Sequence, residues 1–394
     1  TTGKPSRTNS QPLNIKHVKG PMALAHNGSL TNANLLREKY EMNGAIFHTT
    51  NDTEVIAYSI TEKRISSNSI ETAIEKAMYE LEGAYSIVVM SATKLIAARD
   101  PIGFRPLCMG ELNGDIIFSS ESCAIDNLGG KFIRDVRPGE IIIVTKDSIK
   151  SIETHCDKNR NGKKGHICVF EYIYFARPDS VIEGVSVHQS RKKAGAFLAK
   201  AHPIDADVVI GVPDSGLDAA LGYSIESGIP YGVGFIKNRY IGRTFIQPTQ
   251  GQREDSVRIK LNALKSTVCG KRIILVDDSI VRGTTSARIV NILREAGATE
   301  VHMRISSPPF MFPCYFGTDV DSKKNLIACQ MPLEEIAGKI GVDSLGFLSK
   351  EDVLKLADDS GFDFCDGCFT GKYPIEVPQE MPKNKFEQKL NSAQ

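Results

Sequence analysis

Excess charge of either sign is absent from this 394-residue sequence. Lys and Arg number 48 against 47 Asp and Glu, a formal net charge of +1. A protein whose main partner is nucleic acid carries a basic surplus against phosphates. A polybasic membrane-surface protein carries one against anionic lipid. The balance supports neither class. Apolar runs are short, none approaching the roughly 20 residues of a membrane span. The stretch TTGKPSRTNSQPLNIKH has no apolar segment of signal-peptide type, so the expected compartment is the cytoplasm. Cysteine is sparse and odd in number, nine in all, which excludes a disulfide scaffold and leaves buried thiols, metal ligands or nucleophiles as its uses. The hydrophobic share of 41% and charged share of 24% exclude disorder over most of the chain. At roughly 150 residues per domain, the length suggests two to three domains.

What is present falls into two rhythms. Up to about residue 150, short strands mix with two helices. Ser69 precedes apolar residues at Ile70, Ala73, Ile74, Ala77, Met78 and Leu81, the spacing of a single buried helical stripe. Gly83 is the expected helix stop. The runs AYSIVVMS, KLIAARD, GDIIFSSES and GEIIIVTKD then read as strands of a layered sheet with hairpins. The polar segment HCDKNRNGKKGH, 155–166, reads as a linker or exposed loop. Beyond it, strands are expected at DVVIGV (207–212), YGVGFI (231–236), RIILVDD (272–278) and TEVHMRIS (299–306). They alternate with helical patterns, one carrying Ile289, Ile292, Leu293 and Ala296 on one face with Gly297 as its stop. Alternation of this kind predicts a parallel, helix-covered sheet with its ligand site at the carboxyl ends of the strands. The expected division is 1–154, 155–190 as linker and approach, 191–345, and a helical C-terminal segment with a polar tail over 346–394.

The strongest chemical signal is IILVDDSIVRGTTS (273–286). An apolar strand ends in Asp277 and Asp278, and a short loop from Ser279 to Thr285 leads into a helix. Backbone N–H groups around Gly283 and the helix start can cradle a phosphate. The hydroxyls of Ser279, Thr284 and Thr285 add donors. The adjacent acids suit a ribose diol or Mg2+. A lone Asp-Asp would read as a solvated acidic turn; the whole string points to a sugar phosphate with a divalent metal. Upstream, GVPDSGLDAALGYS (211–224) places Pro213, Asp214, Ser215 and Gly216 in another strand-to-helix loop, weak evidence when taken alone. KNRYIGRTFIQP (237–248) is a basic loop that would read as merely solvated without its neighbours.

These strings resemble the phosphoribosyl-pyrophosphate (PRPP) motif and pyrophosphate loop of type I phosphoribosyltransferases. KNRYIGRTFIQP resembles the loop that closes over PRPP in the glutamine PRPP amidotransferase family. There Lys237, Arg239, Arg243 and Arg282 would meet phosphate groups, and Tyr240 and Ile246 would line the ammonia path. The resemblance implies Mg2+ at Ser215, Asp277 and Asp278. In the first half, ALAHNGSLTN (23–32) is similar to the oxyanion segment of N-terminal-nucleophile glutamine amidotransferases, which implies oxyanion roles for Asn27 and Gly28. TTNDTEV (49–55) is similar to a further family element, with Asp52 holding the substrate's ammonium group. As structure alone these would be an Asn-Gly turn and a helix start. Cys168, Cys314, Cys365 and Cys368 sit where one branch of the family binds a 4Fe-4S cluster, which needs four thiolates; zinc more often shows two paired C-x-x-C units. Cys108, Cys123, Cys156, Cys269 and Cys329 have no motif context.

The resemblance runs from SQPL (10–13) to FTGKYP (369–374). It implies an amidotransferase sandwich, truncated at its N-terminus, followed by a parallel-sheet phosphoribosyltransferase domain, an α+β and α/β combination. It implies formation of 5-phosphoribosylamine from PRPP and glutamine, purine nucleotide feedback and a homotetramer. The family's glutaminase nucleophile is an N-terminal cysteine. This sequence begins Thr1, Thr2, Gly3, which correspond to a point inside the family's first domain. The expectation is therefore activity with ammonia rather than glutamine; Thr1 as a substitute nucleophile would stand in the wrong place. A non-catalytic PRPP sensor would need neither the basic loop nor the first half. An amidotransferase with another acceptor would lack VDDSIVRGTT.

Overall fold

The computed structural model describes residues 3, 6–156, 164–238, 261–318, 320 and 322–378. The first half is built on nine strands: β1 (Leu13–Ile15), β2 (Met22–Leu30), β3 (Gly83–Ser91), β4 (Leu95–Arg99), β5 (Cys108–Leu112), β6 (Asp115–Ser119), β7 (Lys131–Asp135), β8 (Ile141–Val144) and β9 (Ile149–Ile152). Six form an antiparallel sheet in the order β1-β2-β3-β4-β8-β9, and β6-β5-β7 form a second. Alternation along the strands divides the side chains between two cores. Leu24, Ile87, Val89, Ile96, Ala98, Ile141 and Ile143 face the helices Ala33–Met42, Asp52–Ile65 and Ile70–Ala77. Ala97 and Ile142 pack against Leu107, Met109 and Val136 on the side of the second sheet. That is why GEIIIVTKD is continuously apolar: β8 is covered on both faces. Each such Ile or Leu contributes roughly 1.5–3 kcal/mol by leaving water.

Two expectations need correction here. Among the described residues the first half holds four helices, not two, the fourth being Ser122–Asn127. Gly83 does not stop a helix. The helix Ile70–Ala77, capped by Ser69 through Thr72 N–H at 3.2 Å, ends earlier. Gly83 instead opens β3, because a Cβ there would stand 2.6 Å from the Ser29 carbonyl of the neighbouring strand.

Residues 164–190 hold defined elements, while 157–163 of the expected linker lie outside the described residues. β10 (His166–Cys168) pairs in parallel with β19 (Asp363–Cys365), placing Cys168 opposite Cys365. A helical turn, Glu171–Phe175, and the ribbon β11 (Val181–Ile182) and β12 (Val185–Ser186) follow. The C-terminal stretch, expected to be helical, holds only short turns of helix and β19 among its described residues. Its apolar residues, including Phe362, Cys365 and Phe369, are spent on packing beneath β10 and its neighbours.

The second half is a four-stranded parallel sheet in the order β13 (Val208–Gly211), β16 (Arg272–Asp277), β17 (Glu300–Ile305), β18 (Ser344–Phe347). Both faces are covered, as period-2 alternation requires. Val209, Ile274 and Val276 meet Ala219, Ala220 and Tyr223 of the helix Gly216–Ser227. Val208, Ile210, Ile273 and Leu275 meet Ile289, Val290 and Leu293 of the helix Thr284–Glu295. The expected strand YGVGFI is split. Tyr231 makes a lone parallel bridge to Val209, and β14 (Phe235–Lys237) leaves to pair with β15 (Leu261–Ala263). Gly232 and Gly234 lie close against β13, where a Cβ would stand 2.8 Å from Val208 Cγ2 and 2.5 Å from Ile210 Cδ1. Since the chain after β13 returns on the far side from β16, strand order reverses between β13 and β16. That reversal opens a crevice at their carboxyl ends, the ligand position of such sheets.

Candidate active site

The two loops at this crevice meet. Ser215, at the start of the helix Gly216–Ser227, donates its hydroxyl to Asp278 Oδ2 from across the switch point. Ser279 Oγ donates to Asp278 Oδ1 at 2.5 Å, and the Asp278 N–H donates to Asp277 Oδ1 at 2.9 Å. Both acids are buried. Burial, followed by the adjacent Asp278 charge, pushes the Asp277 carboxyl well above the usual range. Burial also raises Asp278, against the donors Ser215 and Ser279. Two buried carboxylates side by side call for a cation or for hydroxyl donors. Lys237, at the end of β14, pairs with Asp214 at 2.5 Å, both side chains being half or more exposed. The Pro213–Asp214 peptide is cis. Gly283, with φ +79°, precedes the helix whose first residues, Thr284 and Thr285, are exposed, as is Arg282. Tyr240, Arg239, Arg243 and Ile246 lie outside the described residues.

In the first half, Asn27 is exposed on β2 and its Nδ2 lies 3.4 Å from Ser120 Oγ. Gly28 is its buried neighbour, paired with Tyr85 of β3. Asn27 thus points outward while the Gly28 backbone lies flush with the sheet. Asp52 begins a helix capped by Asn51, whose side chain accepts from Glu54 N–H at 3.2 Å. The Asp52 carboxylate is buried and accepts the Leu30 N–H at 2.9 Å, so it braces the end of β2. His26 stands 3.7 Å from it, and burial pushes that imidazole down to about 4, leaving it neutral at physiological pH.

The four cysteines singled out above converge from distant parts of the chain into one apolar core. Cys168 and Cys365 face each other across β10 and β19. The Cys368 carbonyl accepts from Met311 and Phe312 N–H at 3.0 and 3.1 Å, drawing in the segment that carries Cys314. Burial pushes the Cys168 thiol up to about 12, and burial together with the neighbouring cysteines raises Cys365 and Cys368 well above the ordinary thiol. No group of three or more His, Cys, Asp or Glu among the described residues forms a site for a metal ion. None of the nine cysteines is in a disulfide.

Known proteins with both halves in this order decide the chemistry. The glutamine amidotransferase domain family matches residues 4–127, and the phosphoribosyl transferase domain family matches 187–306. The amidophosphoribosyltransferase of Archaeoglobus fulgidus is 47% identical over 382 residues, covering 96% of this chain and 82% of its own length. That of Bacillus subtilis is 48% identical over 385 residues, covering 96% and 79%. The solved glutamine PRPP amidotransferase from B. subtilis, complexed with ADP and GMP, superposes with a TM-score of 0.86 over 95% of this chain and 82% of that one. The chain belongs to the amidophosphoribosyltransferase family.

Its activity is that of a PRPP amidotransferase of purine biosynthesis, yielding 5-phosphoribosylamine, pyrophosphate and glutamate from PRPP, glutamine and water. Within this amidophosphoribosyltransferase the structure brings Ser215, Asp277, Asp278 and Ser279 into direct contact and sets Asp214 beside Lys237. It keeps this group apart from Asn27, Gly28 and Asp52, which belong to the other half. Sequence reasoning missed four charged residues, two of them a pair. Arg191 is buried on the helix Val187–Ala201 and donates to the Tyr172 and Ala176 carbonyls. Glu121 accepts from Arg177 N–H and Ser180 Oγ, both at 2.7 Å, joining the halves. Arg105 and Glu171 form a buried pair at 2.6 Å. The last had a signal: Glu171 is an acid inside the apolar run ICVFEYIYF, and such a charge, when buried, needs a partner.

No helix among the described residues is long and apolar enough to cross a membrane.

Proposed function

We propose that PRPP lies in the crevice between β13 and β16, with the ribose hydroxyls on Asp277 and Asp278. The observation that carries this reading is the hydrogen bond from Ser215 to Asp278, which joins the two loops at the reversal of strand order. The loop 279–285 takes the 5-phosphate on its backbone N–H groups, with the hydroxyls of Ser279, Thr284 and Thr285 and the charge of Arg282 in reach. The loop Pro213–Gly216 and Lys237 take the diphosphate, Lys237 exchanging Asp214 for it. The donor set Ser215, Asp277 and Asp278 is all oxygen, which fits Mg2+, and it relieves the repulsion of two buried acids. When bound, Mg2+ neutralises charge on the leaving diphosphate. Ammonia attacks C1 of the ribose as the C1–O bond to diphosphate breaks. The chain's own contribution is positioning and electrostatic stabilisation, not a dedicated base. Asn27 and the Gly28 N–H serve the oxyanion of the glutamine amide, and Asp52 orders that end of β2 for the substrate's ammonium group.

The four cysteines fit a 4Fe-4S cluster by their chemistry. Four sulfur donors share one water-poor core, and Cys168, Cys314, Cys365 and Cys368 would hold the cluster without closing on a single ion. When bound, the cluster supplies a cross-link between β10, β19 and the segment at Cys314. The B. subtilis structure carries ADP and GMP, which supports purine nucleotides as regulators here. A reducing cytoplasm suits nine cysteines without disulfides, and the homotetramer that the resemblance implies would find apolar side chains such as Ile225, Val233 and Ile236 exposed for contacts between copies.

The test follows pyrophosphate release from PRPP with ammonium at alkaline pH, with and without Mg2+. Asp277→Ala and Asp278→Ala each abolish most of the activity. Retention of activity in both variants refutes the assignment of the crevice.

A further inference from the structure

We propose that Arg105 is a positioning residue that ties the four-cysteine shell to the strand carrying Asn27 and Gly28, so that filling the cysteine site orders the glutamine side of the enzyme. The inference rests on the reading that these cysteines hold an iron–sulfur cluster.

Arg105 belongs to the first half, in the turn between β4 and β5, and is 4% exposed. Its guanidinium reaches into the cysteine shell. Nη1 donates to Glu171 Oε1 at 2.6 Å, and Nε donates to the Phe316 carbonyl at 3.2 Å. Glu171 follows Cys168 by three residues. Phe316 follows Cys314 by two, and its N–H donates to Cys314 Sγ at 3.4 Å. The preceding residue repeats the pattern. The Phe104 carbonyl accepts the Cys168 N–H at 3.0 Å, and its ring stacks on Phe316 with centroids 4.1 Å apart. Two of the four cysteines are thus held by residues 104 and 105.

The other end of this segment grips the glutamine side. The Arg105 carbonyl accepts from Ser86 Oγ at 3.1 Å and from Arg99 Nε at 2.8 Å. Ser86 is the register partner of Asn27 between β2 and β3. Gly317 closes the path directly. A Cβ built there would stand 2.9 Å from Arg105 Nη2 and 3.4 Å from Gly28 Cα. The segment after Cys314 therefore lies against both Arg105 and the oxyanion strand.

A fully buried Arg–Glu pair is a poor device for stability alone, since desolvation offsets most of its attraction. What it adds is geometry. The planar fork of arginine serves two acceptors on two segments at a fixed spacing, which the point-like ammonium of lysine matches only in part.

The experiment uses the full chain, iron-loaded and iron-free, with iron content and visible absorption as the first readout. Hydrogen exchange of peptides covering 24–30 and 84–89 is the second. Peptides covering 207–212 and 272–277, in the parallel sheet, are the internal control. In the unmodified protein, iron slows exchange in β2 on the order of tenfold, the effect of one charge-assisted bond made or lost. Arg105→Met keeps its iron but loses that difference, with the control peptides unchanged. Arg105→Lys restores it only in part. Glu171→Gln, which keeps the shape and removes one charge, weakens it and serves if Arg105→Met does not fold. Iron-dependent protection equal to that of the unmodified protein in Arg105→Met and Glu171→Gln overturns the proposal. A chain that takes up no iron overturns the cluster reading itself, and the two failures are told apart by the iron content.

Discussion

Gly28→Ala should be among the most damaging single-methyl changes in the first half. Gly28 has φ +141° and sits in the paired region of β2 and β3. A Cβ built on it stands 2.1 Å from the Ala84 carbonyl oxygen and 2.6 Å from the carbonyl carbon. That is more than 1 Å inside ordinary contact, and the obstacle is backbone, which cannot rotate away. Holding an L-residue in this region costs about 1–3 kcal/mol. Forcing the strands apart costs roughly another 1–3 kcal/mol. The total of about 2–6 kcal/mol corresponds to a fall of roughly 5–20 °C in the melting transition of a unit of this size. The assay is thermal unfolding of the unmodified and Gly28→Ala chains, with ammonium-dependent pyrophosphate release measured below both transitions. The transferase reaction persists, because its crevice lies in the other sheet. A shift below about 2 °C would refute the close-approach argument.

Further outcomes follow from other sites. Asp278→Ala removes the acceptor shared by Ser215 and Ser279 and lowers kcat/KM of the ammonium reaction by about 10²–10³-fold, the loss seen when a preorganised electrostatic partner is deleted. Lys237→Ala raises KM for PRPP by roughly 3–10-fold with kcat little changed, and the effect shrinks in high salt because the side chain is half exposed. Cys365→Ser lowers iron per chain and removes the visible absorption, read by chemical iron analysis; full retention of iron sinks the ligand assignment. Glu140 is fully buried. Burial alone would raise its carboxyl, but bonds from Arg134, Ser151 and Arg137 hold it down at about 2. Since the folded value is depressed, the stabilisation is present above the unfolded value and is lost as pH falls. Glu140→Gln is therefore less stable by about 3 kcal/mol at neutral pH. The deficit closes as pH drops from about 4.5 to about 2, as denaturant titrations across that range would record.

Local pattern was enough wherever one stretch of chain carries its own signal. The strand–acid–acid–loop–helix string at 273–286 is legible because its polarity switch and its Gly-Thr-Thr turn are contiguous, and the alternation of strands and helices predicts the parallel sheet around it. The stripe from Ile70 to Leu81 is legible for the same reason, although its end is not: whether Gly83 stops a helix or opens a strand depends on the Ser29 carbonyl, more than fifty residues away. YGVGFI reads as a strand because its apolar residues alternate, yet the run divides between a bridge to Val209 and the pairing of β14 with β15.

Pairing across distance was decided only by the tertiary structure. Only the family resemblance, not local pattern, brings the four cysteines or Ser215 and the two acids together, and neither says that Cys168 stands opposite Cys365 or that Arg105 meets Glu171 and Phe316. Those contacts follow from which strand lies beside which. Strand order is settled by burying both faces of the sheets at once, a property of the assembled chain. Composition, local periodicity and motif chemistry therefore determined the elements and the class of site. The reversal of strand order between β13 and β16, and the buried pair that joins the halves, determined where those residues act, because a crevice or a desolvated charge exists only once the layers close around it.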